Sequence, residues 1–146
     1  MNVKPVVGVM GGASVTEPVL RAAHELGARI ARKGWVLLNG GRDEGVMAAS
    51  ARGAREAGGC VVGILPGRDR RGASPDLTVA IVTGMGDARN VINVLSSDVL
   101  IALEGGAGTL SEIALALKSG RPVILLGQAP NPQLGAYAGA GEILRA

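Results

Sequence analysis

DVLIALEGGAGTLSEIALAL, residues 98–117, decides how the chain folds. It opens with a continuous apolar run, Val99 to Leu103, and passes through a turn holding Gly105, Gly106 and Gly108. It then continues with Leu110, Ile113, Ala114 and Leu117 at helical spacing. An apolar run without alternation marks a strand covered on both faces. Strand, bare turn and helix together form the repeating unit of a parallel sheet between helix layers.

The same unit recurs along the chain. VVGVM (6–10) precedes a helix from Thr16, with Pro18 in its first turn, a stripe of Val19, Ala22, Ala23, Leu26 and Ile30, and Gly34 at its end. WVLLN (35–39) precedes a helix to about Ala57 with Met47, Ser50, Ala51 and Ala54 on one face. CVVGIL (60–65) is followed by a polar loop, 66–76. TVAIVT (78–83) leads through Gly84 and Gly86 into a helix with Ala88, Val91, Ile92 and Leu95 in register. PVILL (122–126) is a sixth strand, and the Gly-, Ala- and Pro-rich tail from Gly127 ends in a short helix at GEILRA (141–146). Crossovers are right-handed by strong default. The expectation is an α/β fold with a doubly wound parallel sheet, three layers, and one domain over residues 1–146.

Composition narrows the function. With no Phe, one Trp and one Tyr, the core must be built from Val, Ile, Leu, Ala and Met, and no base-stacking surface is available. A net charge of +3 without a basic stripe argues against nucleic acid as a partner. The single cysteine excludes an internal disulfide and suits a reducing compartment. There is no charged-then-apolar leader, and no apolar run approaches the roughly 20 residues needed to span a bilayer. The expectation is a soluble cytoplasmic protein without membrane contact. His24 reads as a solvated surface residue and Cys60 as core, so no metal-ligand set or Cys–His nucleophile pair is evident.

In doubly wound sheets ligands bind beyond the carboxyl ends of the strands, at the point where strand order reverses. The turns there hold the glycines. Gly11, Gly12 and Ser14 after the first strand could cradle a phosphate with backbone N–H groups, or could simply form a tight turn. The run is neither G-x-G-x-x-G nor a Walker A loop, and Asn39 stands where a dinucleotide site would place an acid. Gly40 and Gly41 permit close approach of a ligand. Asp43 and Glu44 read as favourable charge at a helix start, and Arg42 as a solvated or anion-paired cation. The bare backbone of Gly105, Gly106 and Gly108, aimed by a helix dipole, fits a phosphate. Thr109 and Glu112 have the spacing of a capping box, so Glu112 serves either the helix or the chemistry. Arg89 is a cation at a helix start, where the dipole disfavours it, which points to an anionic partner; Asn90 and Asn93 could add hydrogen bonds.

NGGRDEGVM, GILPG, TGMGDARN and above all GGAGTLSE resemble the superfamily often labelled "possible lysine decarboxylase". It contains the LOG-type cytokinin-activating phosphoribohydrolases and the molybdenum cofactor carrier proteins. The resemblance covers about residues 5–126 and implies a Rossmann-like fold, a homodimer or homotetramer, and a nucleotide-phosphate pocket. The decarboxylase label has no support in the residues. The hydrolases read P-G-G-x-G-T-x-x-E, with Lys after the Arg. Here Glu104 replaces the Pro and Asn90 the Lys, while Arg89, Gly105, Gly106, Gly108, Thr109 and Glu112 match. The wording looks closer to the carrier branch, which implies a binding protein for a phosphorylated small molecule, with Glu104 lining the pocket and molybdopterin-type cofactor or nucleotide as the bound species. No cofactor is required. The alternative is a phosphoribohydrolase that frees the base and ribose 5-phosphate. Arg89 and Glu112 would then be catalytic, the carboxylate stabilising an oxocarbenium-like state.

Overall fold

The computed structural model describes residues 2–127 and 143–145. The chain begins with β1 (Val6–Met10), α1 (Glu17–Arg32), β2 (Val36–Asn39), α2 (Gly45–Glu56) and β3 (Cys60–Leu65). It continues with β4 (Val79–Val82), a 3-10 turn (Gly86–Ala88) and α3 (Arg89–Leu95). It closes with β5 (Val99–Ala102), α4 (Ala107–Lys118), β6 (Val123–Leu125) and β7 (Ile143–Arg145).

All the strands form one parallel sheet in the order β4-β3-β2-β1-β5-β6-β7. The central strand β1 pairs with both halves: Val7 stands opposite Leu37 of β2 and Val99 of β5. Strand order reverses between β1 and β5, so the switch point lies there. One face of the sheet packs Val9, Leu37 and Val61 against Ala23 and Ile30 of α1 and Val46, Ala51 and Ala54 of α2. The other packs Met10, Leu38, Ile64 and Leu100 against Val94 of α3 and Ile113, Ala116 and Leu117 of α4. This is the doubly wound, three-layer arrangement read from the apolar runs. Small side chains let α1 and α2 touch backbone to backbone. A Cβ on Gly27 would overlap the carbonyl of Ser50, and one on Gly53 the carbonyl of His24.

Three expectations need correction. The segment 143–145 is not helical; Ile143 pairs with Val123 and Arg145 with Leu125 as a seventh strand. A helix of one or two turns gains too little to persist alone, whereas three residues laid on the edge of β6 gain ladder hydrogen bonds at once. Strand β4 is not covered on both faces: Val79, Ile81 and Val82 are all exposed at the sheet edge. The stripes of α3 and α4 are also displaced. In α3 the buried residues are Asn90, Asn93 and Val94, while Val91 and Leu95 face outward. In α4 Thr109 and Glu112 are buried beside Ile113 and Leu117, while Leu110 and Ala114 are exposed. Among the described residues no helix is long and apolar enough to cross a membrane.

Candidate functional site

At the carboxyl end of the sheet, over the switch point, lies a cavity of about 290 Å³. Met10, Gly11 and Gly12 bring the end of β1 to it, Gly40 the end of β2, Arg89 and Asn93 the inner face of α3, and Gly106, Gly108, Thr109 and Glu112 the first turns of α4. A larger hollow, about 530 Å³, lies between α1 and α2 and is lined by Glu17, Leu20, Arg21 and His24. Its charges are matched locally, Arg21 with Glu17 and His24 with Glu56.

One wall of the cavity is the start of α4. Gly106 is the N-cap and makes no side-chain cap bond. The N–H groups of the first helical turn therefore lack intrahelical partners and carry the positive end of the helix dipole. Gly106 and Gly108 have open space where a Cβ would stand. Gly105 has none, because a Cβ there would overlap the side chain of Thr109. A backbone this bare, at a helix start, suits an anion.

The second wall is Arg89. Its side chain lies across Gly40, where a Cβ would come within 3.0 Å of Nη2. Nη1 donates to Asn90 Oδ1 at 2.7 Å. Asn90 Nδ2 donates to Ser111 Oγ at 3.1 Å, and that hydroxyl donates to the Gly108 carbonyl at 2.6 Å. The chain of bonds ties the arginine of α3 to the first turn of α4. Burial lowers the pKa of the guanidinium; the carboxylates of Glu112 and Asp87 push it back up. Nε is buried and has no partner among the described residues.

The floor is Glu112 and Asn93. Asn93 Nδ2 donates to Glu112 Oε2 at 2.9 Å. Burial pushes the Glu112 carboxyl up to about 7, against the hydrogen bond from Asn93 and the field of Arg89, which both pull it down. The capping-box alternative falls: α4 begins at Ala107, so Thr109 is its third residue and the carboxyl goes to another helix.

Of the residues singled out in the sequence, Gly11, Gly12, Gly40, Arg89, Asn90, Asn93, Gly106, Gly108, Thr109 and Glu112 line this one cavity. Ser14, Gly41, Glu104 and Gly105 do not. Gly12 is no free donor: its N–H bonds the Glu104 carbonyl at 2.9 Å, and its carbonyl accepts from Val46 N at 3.0 Å. Glu104 thus meets the site through its backbone, and its side chain is exposed. Gly41, at φ +78°, donates to Asn39 Oδ1 and accepts from Ser74 N, a structural turn. Arg42 pairs with Glu44 at 2.8 Å. Met47, Ala13 and Asp87 line the cavity without having been singled out. Only the bulk of Met47 beside Gly40 could have signalled it. Among the described residues no three His, Cys, Asp or Glu side chains gather as a metal site would need.

The family model described as the SLOG cluster4 family matches residues 4–143. The molybdenum cofactor binding protein from the phototrophic bacterium Rippkaea orientalis is 48% identical with a TM-score of 0.88, over 97% of this chain and 89% of that one. The molybdenum cofactor carrier protein from Chlamydomonas reinhardtii is 46% identical with a TM-score of 0.84, over the same shares. A cytokinin riboside 5′-monophosphate phosphoribohydrolase of Mycobacterium tuberculosis is 41% identical over 110 residues; the match takes in 73% of this chain and 59% of that protein.

Proposed function

The chain belongs to the SLOG cluster4 family, and from that premise we propose that it is a binding protein for a phosphorylated small molecule, a carrier whose cargo is of the molybdenum-cofactor type. One observation carries the reading. The open first turn of α4 and the unpaired Nε of the half-buried Arg89 belong to a single cavity at the switch point. Both are donors, and together they make an anion site. The phosphate of the cargo sits against Gly106, Gly108, Thr109 and Arg89. The cofactor-binding structures are 46–48% identical to this chain, against 41% for the mycobacterial hydrolase. The reading includes a cytoplasmic protein that self-associates as a homodimer or homotetramer, supported by the apolar side chains that α3 and α4 leave exposed.

A second reading, hydrolysis of a nucleoside 5′-monophosphate to free base and ribose 5-phosphate, is favoured by Arg89 and Glu112 lining the same cavity. Cleavage of the N-glycosidic bond builds positive charge on the ribose and calls for an ionised carboxylate beside it. Burial, which pushes the Glu112 carboxyl up to about 7, works against that ionised form. That weakens this role without removing it.

Incubation with AMP and isopentenyl-AMP separates the two readings. Retained thermal stabilisation by a phosphorylated pterin, with no free base or ribose 5-phosphate released, is the expected result. Release that disappears in Glu112→Gln would establish the hydrolase instead.

A further inference from the structure

Two buried polar side-chain atoms found without a partner among the described residues are Arg89 Nε and Asn93 Oδ1. They lie four residues apart on α3, hence on the same side of the helix, and both residues line the cavity. A buried polar atom left unpaired is costly, and each such atom in a native protein asks for an explanation. Asn93 is only 1% exposed. Its Nδ2 is committed to Glu112 Oε2. Turning the amide over would set its oxygen against that carboxyl group, a repulsive contact whenever Glu112 is ionised. Facing an ionised Glu112 the amide keeps Nδ2 toward the carboxylate, and Oδ1 is left as an acceptor with no donor among the described residues.

The two orphans have opposite polarity. Arg89 Nε needs an acceptor, which a phosphate supplies. Asn93 Oδ1 needs a donor, which a fully ionised phosphate lacks. The cavity is thus polarised along its depth, with donors at the rim (the α4 turn and Arg89) and acceptors at the floor (Asn93 Oδ1 and the Glu112 carboxylate).

We infer that Asn93 is a specificity-determining residue, whose side-chain carbonyl accepts a hydrogen bond from an O–H or N–H group on the phosphorylated ligand. The inference rests on the anion-site reading and names a second requirement of the same site. A ligand with phosphate alone meets only the donors; one that also carries an O–H or N–H within reach of Asn93 Oδ1 meets both. The donor is either a sugar hydroxyl or a ring N–H.

Binding titrations of the whole chain with two pairs of probes test this. The sugar pair is AMP against 2′,3′-dideoxyadenosine 5′-monophosphate. The ring pair is GMP, which carries an N1–H and a 2-amino group, against purine riboside 5′-monophosphate, which carries neither. In the wild type, loss of the donor in one of the pairs weakens binding about ten-fold. In Asn93→Leu that preference, read as the ratio of affinities within each pair, collapses to within about two-fold. The wild-type comparison stands by itself if the variant fails to fold. Equal binding within both pairs overturns the inference, as does an undiminished preference in a folded Asn93→Leu. If neither inorganic phosphate nor any nucleotide binds the wild type, the anion-site reading fails and the inference with it. Phosphate and nucleotide binding without donor preference sinks the inference alone.

Discussion

Glu112 keeps its carboxyl in a medium hostile to its charge: it is 8% exposed and linked to one amide. The folded chain therefore holds a proton there that the unfolded chain has already released. Because the folded value is raised to about 7 from an ordinary 4.5, the native state is favoured most below the lower value and loses that advantage as pH rises through 7. The full loss amounts to about 3 kcal/mol, since each unit of pKa is worth roughly 1.4 kcal/mol. Gln in its place still accepts from Asn93 and does not ionise. Glu112→Gln should accordingly match the wild type in urea denaturation at pH 5 and exceed it by about 2–3 kcal/mol at pH 8. A difference of the same size at both pH values would show that the charge is not what strains the site. At this scale the sequence was half legible. Arg89 announced itself as a cation where a helix dipole opposes it, and the structure gives it a place in the cavity. Asn93 announced a hydrogen-bonding group but not its partner, because an amide in the middle of a helix carries no sign of which way it points.

Among the elements, helix pairing was easier to anticipate than helix facing. Alternating strands and helices showed in the apolar runs because strands buried on both faces have no polar residues to interrupt them. The α1–α2 pair depends on less conspicuous residues, Gly27 and Gly53, at which the two backbones meet. Gly53→Ala would improve intrinsic helix propensity, yet its methyl group must displace the His24 carbonyl. A net loss of about 2–3 kcal/mol in urea denaturation is expected, and a gain would mean that the helices stand further apart. Helix α3 defeated the pattern for a physical reason. Its inward face meets a polar cavity, so asparagines are buried and Val91 and Leu95 are turned out. Periodicity finds a helix's apolar stripe, but it cannot say whether that stripe faces the chain's own core. The same limit hid β7, whose three residues are a strand only because β6 offers an edge.

For the whole molecule, those outward side chains become an expectation about assembly. Val91 is 41% exposed, Leu95 51% and Leu110 47%, and Val79 and Ile81 of β4 are exposed on the same side of the sheet. Contiguous exposed apolar surface marks interaction sites. Wild-type protein should sediment as a dimer or tetramer, and the double substitution Val91→Glu, Leu95→Glu as a monomer with an intact fold. A monomeric wild type would refute the expectation. Assembly of another kind occurs inside the chain, at Gly12. Its N–H donates to the Glu104 carbonyl and its own carbonyl accepts from Val46 N–H, so one residue joins the loop after β1, the loop after β5 and the start of α2. The cradle's alignment is thus written in main-chain bonds, which are indifferent to the identity of the side chains around it. Exchanging Asn90, Asn93 or Glu112 leaves these main-chain bonds of Gly12 in place. A scaffold of this kind can change its cargo, or acquire or abandon chemistry, by exchanging a few side chains above an unaltered frame.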